Sequence, residues 1–370
     1  MKVIHLIPSL DIGGAELMLK RLVLNKISSN ITHEIICIKS LKEIPAELSV
    51  KNIKVQSLGY KSIFSLPIAL LKLNKVINTN TQALFQSWMY HSNLIISIMS
   101  IFKNNVKIIW NIRGNHIPQS FLSLTSFIVF LGAKLSYFSP LKIICCGNSV
   151  KESHIKKGFN PKLMTVIQNG YEVEKYIPND CRAEVREKLG IESKIVIGLV
   201  GRYDPLKNYP LFIKAISKIK DTSNLHFLLV GKNLDSNNKE LNVLLKKHNL
   251  NSRFTLLGEL QNPVNYIDAF DFFCSSSSSE GFPNVVCEAM LMEKICIVTD
   301  AGDSREIVDN TGFVVPINDH KTLCKAIEKC INLPSIKRDF LSKEARNRII
   351  NHYSIHSIAK HYENLYTSLL

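Results

Sequence analysis

The feature that most constrains this chain is a double series of uninterrupted apolar runs, each followed by a helical pattern. The first series predicts strands near residues 2–8, 32–39, 54–59, 83–88, 107–112, 142–147 and 164–168. The second predicts them near 195–201, 226–231, 253–258, 270–276, 295–300 and 312–316. Continuous apolar strands separated by helices such as 210–219 mean parallel sheets covered on both faces. A break near 170–190 separates the series. The expectation is an α/β chain of two Rossmann-like domains, 1–170 and 171–351, facing across a cleft. A length of 370 residues with 46% hydrophobic content is enough for two ordinary cores.

The stretch Ser279-Glu280-Gly281-Phe282-Pro283-Asn284-Val285-Val286-Cys287-Glu288-Ala289-Met290 carries the most chemical information. It follows the apolar run Phe270–Cys274 and sets Glu280 and Glu288 eight positions apart across a loop-to-helix junction. Pro283 suits the first turn of a helix, where a missing N–H costs nothing. Val285, Val286, Ala289 and Met290 give that helix a buried side. Strand, loop and helix then present backbone N–H groups and a positive dipole end, a geometry that suits phosphate. Carboxylates accept hydrogen bonds from hydroxyls. A ligand with both phosphates and hydroxyls is a sugar nucleotide.

Five further segments stand in order along the chain: Asp11-Ile12-Gly13-Gly14-Ala15-Glu16, 86–94 with His91, Gln168-Asn169-Gly170, 200–208 with Arg202 and Lys207, and 299–308 with Gly302. Together with the glutamate pair they resemble the motifs of retaining glycosyltransferases, family 4 in particular, from residue 3 to about 316. The resemblance implies a GT-B architecture in which the last helix, 352–370, crosses back onto the first domain. It implies that Glu288 holds the nucleotide ribose, and that Glu280 holds hydroxyls of the donor sugar. Gly281, Phe282, Asn284 and Val285 line the same nucleotide-sugar site, and His91 reaches the donor sugar from the acceptor domain. Gly13 and Gly14 let backbone approach the diphosphate or acceptor without a side chain in the way. The catalytic group is then Glu280, Arg202, Lys207 and His91, with a core histidine as the other reading of His91. Arg113 reads as an acceptor or phosphate contact, with a purely structural cation as the equal alternative. The family's last glycine loop has two adjacent glycines, whereas here Gly302 precedes Asp303. Either Asp303 or Ser304 is placed to cap the following helix, and Glu306 is a candidate only through that loop.

Departure of a diphosphate requires a metal or fixed cations. There is no Asp-x-Asp triplet to hold a metal, and Arg202 and Lys207, five apart, supply the cationic alternative. No dedicated base emerges for the acceptor hydroxyl. That agrees with the family's retaining route, in which the acceptor attacks the face the leaving group departs from and a phosphate oxygen takes the proton. No cofactor and no metal are expected.

Charge is unevenly placed: residues 1–170 hold 20 Lys+Arg against 6 Asp+Glu, whereas the remaining 200 residues are nearly balanced. No nucleic-acid module is recognisable. A solvated basic surface is one reading; the favoured one is contact with an anionic membrane surface or lipid-linked acceptor. Residues 63–73 and 121–131 are apolar with lysines nearby but too short to span a bilayer, so they lie in the interface plane or are core helices. The nine scattered cysteines form no C-x-x-C pair, which argues against zinc and for a reduced cytosol. The N-terminus does not read as a signal peptide.

The expected function is transfer of a hexose from a nucleotide-sugar, read as a UDP-sugar, to a lipid-linked or oligosaccharide acceptor. It would act at the cytoplasmic face of the membrane in building capsule, lipopolysaccharide or another surface polysaccharide. The alternative is a sugar-nucleotide epimerase of the same shape. A nicotinamide-dependent oxidoreductase fails, because Gly13-Gly14 does not continue as G-x-G-x-x-G and no acidic residue ends Ile36-Cys37-Ile38-Lys39.

Overall fold

A computed structural model describes the chain apart from Ile12, Ser40, 42–45, Phe102, Asn104, 116–122 and Leu370. Parts of two sequence features, Ile12 of the first glycine loop and the start of the 121–131 run, lie outside the described residues. The chain divides into two compact units, Met1–Glu172 with Tyr353–Leu370, and Val173–His352.

The first unit runs β1 (Lys2–Ile7), α1 (Gly14–Leu24), β2 (Thr32–Lys39), α2 (Ala46–Val50), β3 (Lys54–Tyr60), α3 (Leu66–Thr79), β4 (Leu84–Trp88), α4 (Met89–Ile101), β5 (Lys107–Ile112), α5 (Leu124–Leu135), β6 (Lys142–Cys145), α6 (Asn148–Lys156) and β7 (Met164–Val166). The second runs α7 (Arg182–Leu189), β8 (Ile195–Val200), α8 (Tyr209–Ile216), β9 (Leu225–Val230), α9 (Lys239–Lys247), β10 (Phe254–Leu256), α10 (Val264–Asp268), β11 (Phe272–Ser275), α11 (Asn284–Leu291), β12 (Ile295–Thr299), α12 (Ser304–Val308), β13 (Phe313–Val315), α13 (His320–Ile331) and α14 (Ser335–Tyr353). A last helix, α15 (Ile355–Ser368), starts anew because Ser354 caps it, accepting from the Ser357 N–H.

Both sheets are wholly parallel. Their orders are β3-β2-β1-β4-β5-β6-β7 and β10-β9-β8-β11-β12-β13. Each therefore reverses direction once, between β1 and β4 in the first and between β8 and β11 in the second. Ligands of open parallel sheets bind at the carboxyl ends of the strands beside this reversal. The apolar runs are buried because helices cover both faces. In the second unit Phe212 and Ile216 of α8 and Leu323 and Ile327 of α13 pack on Phe227, Phe272 and Ile297.

In the first unit α15 belongs to the same core as α1, through Ile358, Tyr362 and Tyr366. Its tyrosine hydroxyls meet a polar seam on the sheet. Tyr366 donates to Gln86, and Tyr362 accepts from Asn111 Nδ2 (3.1 Å) and from Arg113. Beside them Trp88 Nε1 donates to His5 Nδ1 (3.2 Å), and His5 Nε2 lies 2.9 Å from His33 Nδ1. Sequence periodicity gives no warning of this seam, since its members alternate with apolar neighbours on strands that read as continuous.

Candidate active site

In the second unit the residues singled out from sequence converge on the loops after β8 and β11, at the sheet's reversal. The loop after β8 is held by its own backbone and by its neighbours. Gly201 N–H donates to Val230 O (2.9 Å), Tyr203 N–H to Lys232 O (2.8 Å), and Asp204 Oδ1 accepts from Leu206 N–H (2.9 Å). A side chain on Gly231 would begin 2.1 Å from Gly201 O, so only glycine allows this approach. The serine run stitches the second loop to the first. Ser278 N–H donates to Leu206 O (2.7 Å) and Ser276 Oγ to Lys207 O (2.9 Å).

This stitching brings Lys207 to Glu280. Nζ and Oε1 are 2.6 Å apart, both side chains are largely buried, and Ser277 Oγ donates to the same Oε1 (2.7 Å). Tyr209 lies beneath, its hydroxyl donating to Gly201 O (2.7 Å). Burial, with the Glu280 carboxylate nearby, pushes that phenol well above its ordinary range. It stays neutral and acts as a support.

Glu280 is fixed from the other side by the loop after β12. Gly302 has φ +59°, and a Cβ there would fall 2.5 Å from Glu280 O and 2.6 Å from Gly281 O. Asp303 N–H donates to Gly281 O (3.1 Å), and Thr299 Oγ1 to Ser277 O (2.5 Å). Asp303 stands at the N-cap of α12 with no side-chain capping bond, while Ser304 Oγ donates to Ala301 O. Neither residue caps the helix. Glu306 lies in the first turn of α12.

Glu288 is the fifth residue of α11, half-buried, with Tyr176 Oη 3.5 Å from its Oε1. Gly281 and Phe282 lie in the loop before that helix, and Asn284 and Val285 are its first two residues. Pro283 takes the N-cap, with extended ψ of 92°, instead of the first turn. Its ring fixes φ at −76° while leaving ψ free, which serves the entry to a helix as well as its first residue. Arg202 does not join Lys207 in one clamp. Its side chain is exposed and its Nε donates to Asp204 Oδ2 (2.9 Å). Burial opposes charge on Asp204, but the Leu206 N–H and Arg202 outweigh it and hold the carboxyl below its usual range.

In the first unit Gly13, Gly14 and His91 sit at that sheet's own reversal. Gly13 is the N-cap of α1, and a Cβ on it would meet the Glu16 carboxylate at 2.4 Å; Gly14 opens the helix. His91 lies in the first turn of α4 and is exposed, so it is not a core histidine. Desolvation of its charged form, with Lys39, holds its imidazole below the ordinary range. The core histidines are His5, His33 and His154. Arg113 departs from the expected acceptor or phosphate contact. Its guanidinium bonds Asn169 Oδ1 (3.0 Å), Ile167 O (3.3 Å) and Tyr362, and lies over the Trp88 ring. Those partners commit it to the interior of the first unit.

Sequence reasoning missed Ser276, Ser277, Thr299, Tyr209 and Gly231. The five consecutive serines were the available signal: hydroxyls ending a buried strand need partners, and loop carbonyls and a carboxylate provide them. Among the described residues no three His, Cys, Asp or Glu side chains group to hold a metal ion.

Residues 182–348 match the family model described as glycosyl transferases group 1. Over those residues the second unit is similar to the group 1 glycosyl transferases. Among similar proteins is the UDP-Gal:alpha-D-GlcNAc-diphosphoundecaprenol alpha-1,3-galactosyltransferase of Escherichia coli, 30% identical over 62% of this chain and 60% of its own length. The capsular polysaccharide biosynthesis glycosyltransferase CapM of Staphylococcus aureus is 26% identical over 84% of this chain and 83% of that one. Among solved structures, HepE of Anabaena in complex with UDP superposes with a TM-score of 0.84 at 20% identity, over 100% of both chains. That likeness shows the GT-B fold, with parallel sheets of 7 and 6 strands among the described residues.

Proposed function

We propose that this chain is a group 1 glycosyl transferase, and within that group a retaining, metal-independent hexosyltransferase. It would move a sugar from a UDP-sugar to a lipid-linked or surface-polysaccharide acceptor, at the cytoplasmic face of the membrane. The observation that carries the reading is the Lys207–Glu280 pair, fixed at the sheet's reversal by the serine loop on one side and Gly302 on the other. A diphosphate entering beside the first N–H groups of α11 competes for Lys207. Glu280 is then released to accept hydroxyls of the donor sugar, and Glu288 those of the ribose. As the C1–O bond to the diphosphate breaks, negative charge grows on the leaving oxygen, where Lys207 and backbone N–H groups stabilise it. The acceptor oxygen bonds to C1 from the same face, and its proton passes to the leaving phosphate. Arg202 would swing from Asp204 to add a second cation. His91 would contact the sugar, and Gly13 and Gly14 the diphosphate or the acceptor. The relatives support this reading: one is named for a UDP-Gal donor and a diphosphoundecaprenol acceptor, the other for capsular polysaccharide biosynthesis. No observation in either unit favours the epimerase reading.

The test is UDP release from UDP-hexoses with crude lipid-linked acceptor, in magnesium and in EDTA, alongside UDP binding by calorimetry. Glu280→Gln keeps the shape and removes the charge; it should retain UDP binding within severalfold and lose turnover by about a hundredfold or more. Turnover that needs magnesium would sink the metal-free mechanism, and unchanged turnover in Glu280→Gln would remove Glu280 from it.

A further inference from the structure

We propose that the layer formed by α3, α4 and α5 of the first unit docks on an anionic lipid bilayer. The chain steps one way along the sheet from β1 to β2 to β3, and the opposite way from β3 to β4, β5 and β6. Right-handed crossovers therefore put α1 and α2 on one face and α3, α4 and α5 on the other. α4 packs against α5. Lys103, just beyond α4, donates to Asn78 of α3. The three helices are thus neighbours in one layer, opposite the face that α15 covers with α1.

Each helix buries a narrow stripe against the sheet, such as Ala69, Leu73 and Ile77 of α3, or Ile128, Val129 and Ala133 of α5. What distinguishes them is that their outward stripes are apolar too. Phe64, in the turn leading into α3, is 90% exposed, and Phe138, just after α5, is 87% exposed. Leu71, Ile101, Leu124 and Phe130 are exposed between them. A surface helix normally turns polar residues outward, and contiguous apolar surface of this kind marks an interaction site.

The charge on the same face selects the partner. Between Glu47 and Glu152 the chain has no Asp or Glu at all, so none of the three helices carries an acidic side chain. Lys61, Lys72, Lys75 and Lys134 are exposed among the apolar side chains, and Lys134 Nζ lies 5.8 Å from the Phe130 ring centre. A second copy of this chain laid on the face would bring lysines against lysines with no carboxylate to offset them. Anionic lipid supplies what the face lacks: phosphates for the lysines, and beneath them an apolar region for Phe64 and Phe138. Among the described residues no helix is long and apolar enough to cross a membrane. Docking in the interface plane is therefore the mode that these helices fit.

The inference rests on the proposed function only in that a lipid-linked acceptor gives the face a purpose. Its test needs neither donor nor acceptor. The full chain is sedimented with vesicles of phosphatidylcholine alone, and of phosphatidylcholine with phosphatidylglycerol, across a salt series. Binding to the anionic vesicles alone, weakened by salt, is expected. Phe64→Ser with Phe138→Ser should weaken it roughly tenfold or more, the scale of withdrawing two large side chains from an apolar phase. Lys72→Glu with Lys75→Glu should act in the same direction. All four positions are exposed, so unchanged melting curves will show that the variants fold. Equal binding to neutral vesicles, or wild-type binding by both double variants, overturns the proposal. So does a dimer in sedimentation velocity that the phenylalanine variants dissolve, since the occupant would then be a second copy. Absence of turnover alongside intact vesicle binding would refute the transferase reading and leave the docking face standing.

Discussion

Replacing Gly302 by alanine puts a methyl group where the backbone of the glutamate loop already lies. Two separate costs follow from the geometry. At φ +59° an alanine adopts the left-handed region, at roughly 1–2 kcal/mol. Its Cβ would also begin 2.5 Å from Glu280 O and 2.6 Å from Gly281 O, and backbone cannot step aside as a side-chain tip can. Overpacking of that kind costs a further ~1–3 kcal/mol. Gly190 isolates the second cost. It stands in the same unit with φ +63°, and a Cβ there meets nothing within 4 Å. Gly190→Ala should therefore lose only the conformational part. In urea unfolding followed by far-UV circular dichroism, Gly302→Ala should be less stable than Gly190→Ala by ~1–3 kcal/mol. Relief of the clash moves the Glu280 loop away from Lys207, so UDP affinity should fall about tenfold or more in Gly302→Ala alone, because the phosphate-facing loop is displaced. If the two variants unfold alike and bind UDP alike, the Gly302 loop does not fix Glu280, and the argument for the site's rigidity fails.

Acid should weaken the first unit through its buried histidines. Burial above all lowers His33 and His154 to about 4, with Lys26 and Lys157 respectively adding to it, and holds His5 well below its usual range. The unfolded chain takes up protons near pH 6.5 and the folded one does not, so stability is complete above that pH and falls as pH drops toward 4. Each of His33 and His154 contributes at most roughly 3 kcal/mol to the slope. Both tryptophans, Trp88 and Trp110, are buried in this unit, so tryptophan fluorescence in urea reads it selectively. His154→Gln should flatten the profile, and a wild-type profile flat from pH 7 to 4.5 would contradict the reasoning. Tyr362→Phe removes the hydroxyl that Asn111 and Arg113 share. Leaving those donors unpaired should cost about 1–3 kcal/mol in the same assay, and a neutral outcome would mean water replaces the hydroxyl. Lys207→Ala should weaken UDP binding roughly tenfold or more, in magnesium and EDTA alike, because an ion pair to phosphate is lost; binding restored by magnesium would place a metal there instead.

The elements of this protein are legible in the order of its residues. The thirteen strands among the described residues all fall where the apolar runs lie, because a strand buried on both faces must be apolar whatever its neighbours are. The glutamate pair, the Arg-Lys loop and the last glycine loop were legible for a related reason. A strand-to-helix turn with glycine and an acid or base is a local pattern, and the resemblance to a family rests on such patterns in order. Partner choice is not local, and the tertiary structure decided it. Nothing near Arg113 in sequence announces that Tyr362, some 250 residues later, engages its guanidinium, and nothing near Arg202 separates it from Lys207. The serine run reads as a weak strand end until its hydroxyls are seen to bind the loop carbonyls and Glu280. Hydrogen-bond partners depend on distances of a few tenths of an ångström between segments far apart in the chain. Apolar burial depends only on a side chain's own chemistry and its period. Elements and motifs are therefore written in the sequence, whereas the pairing of charges at the site emerges only when the loops of the second unit's sheet are brought together.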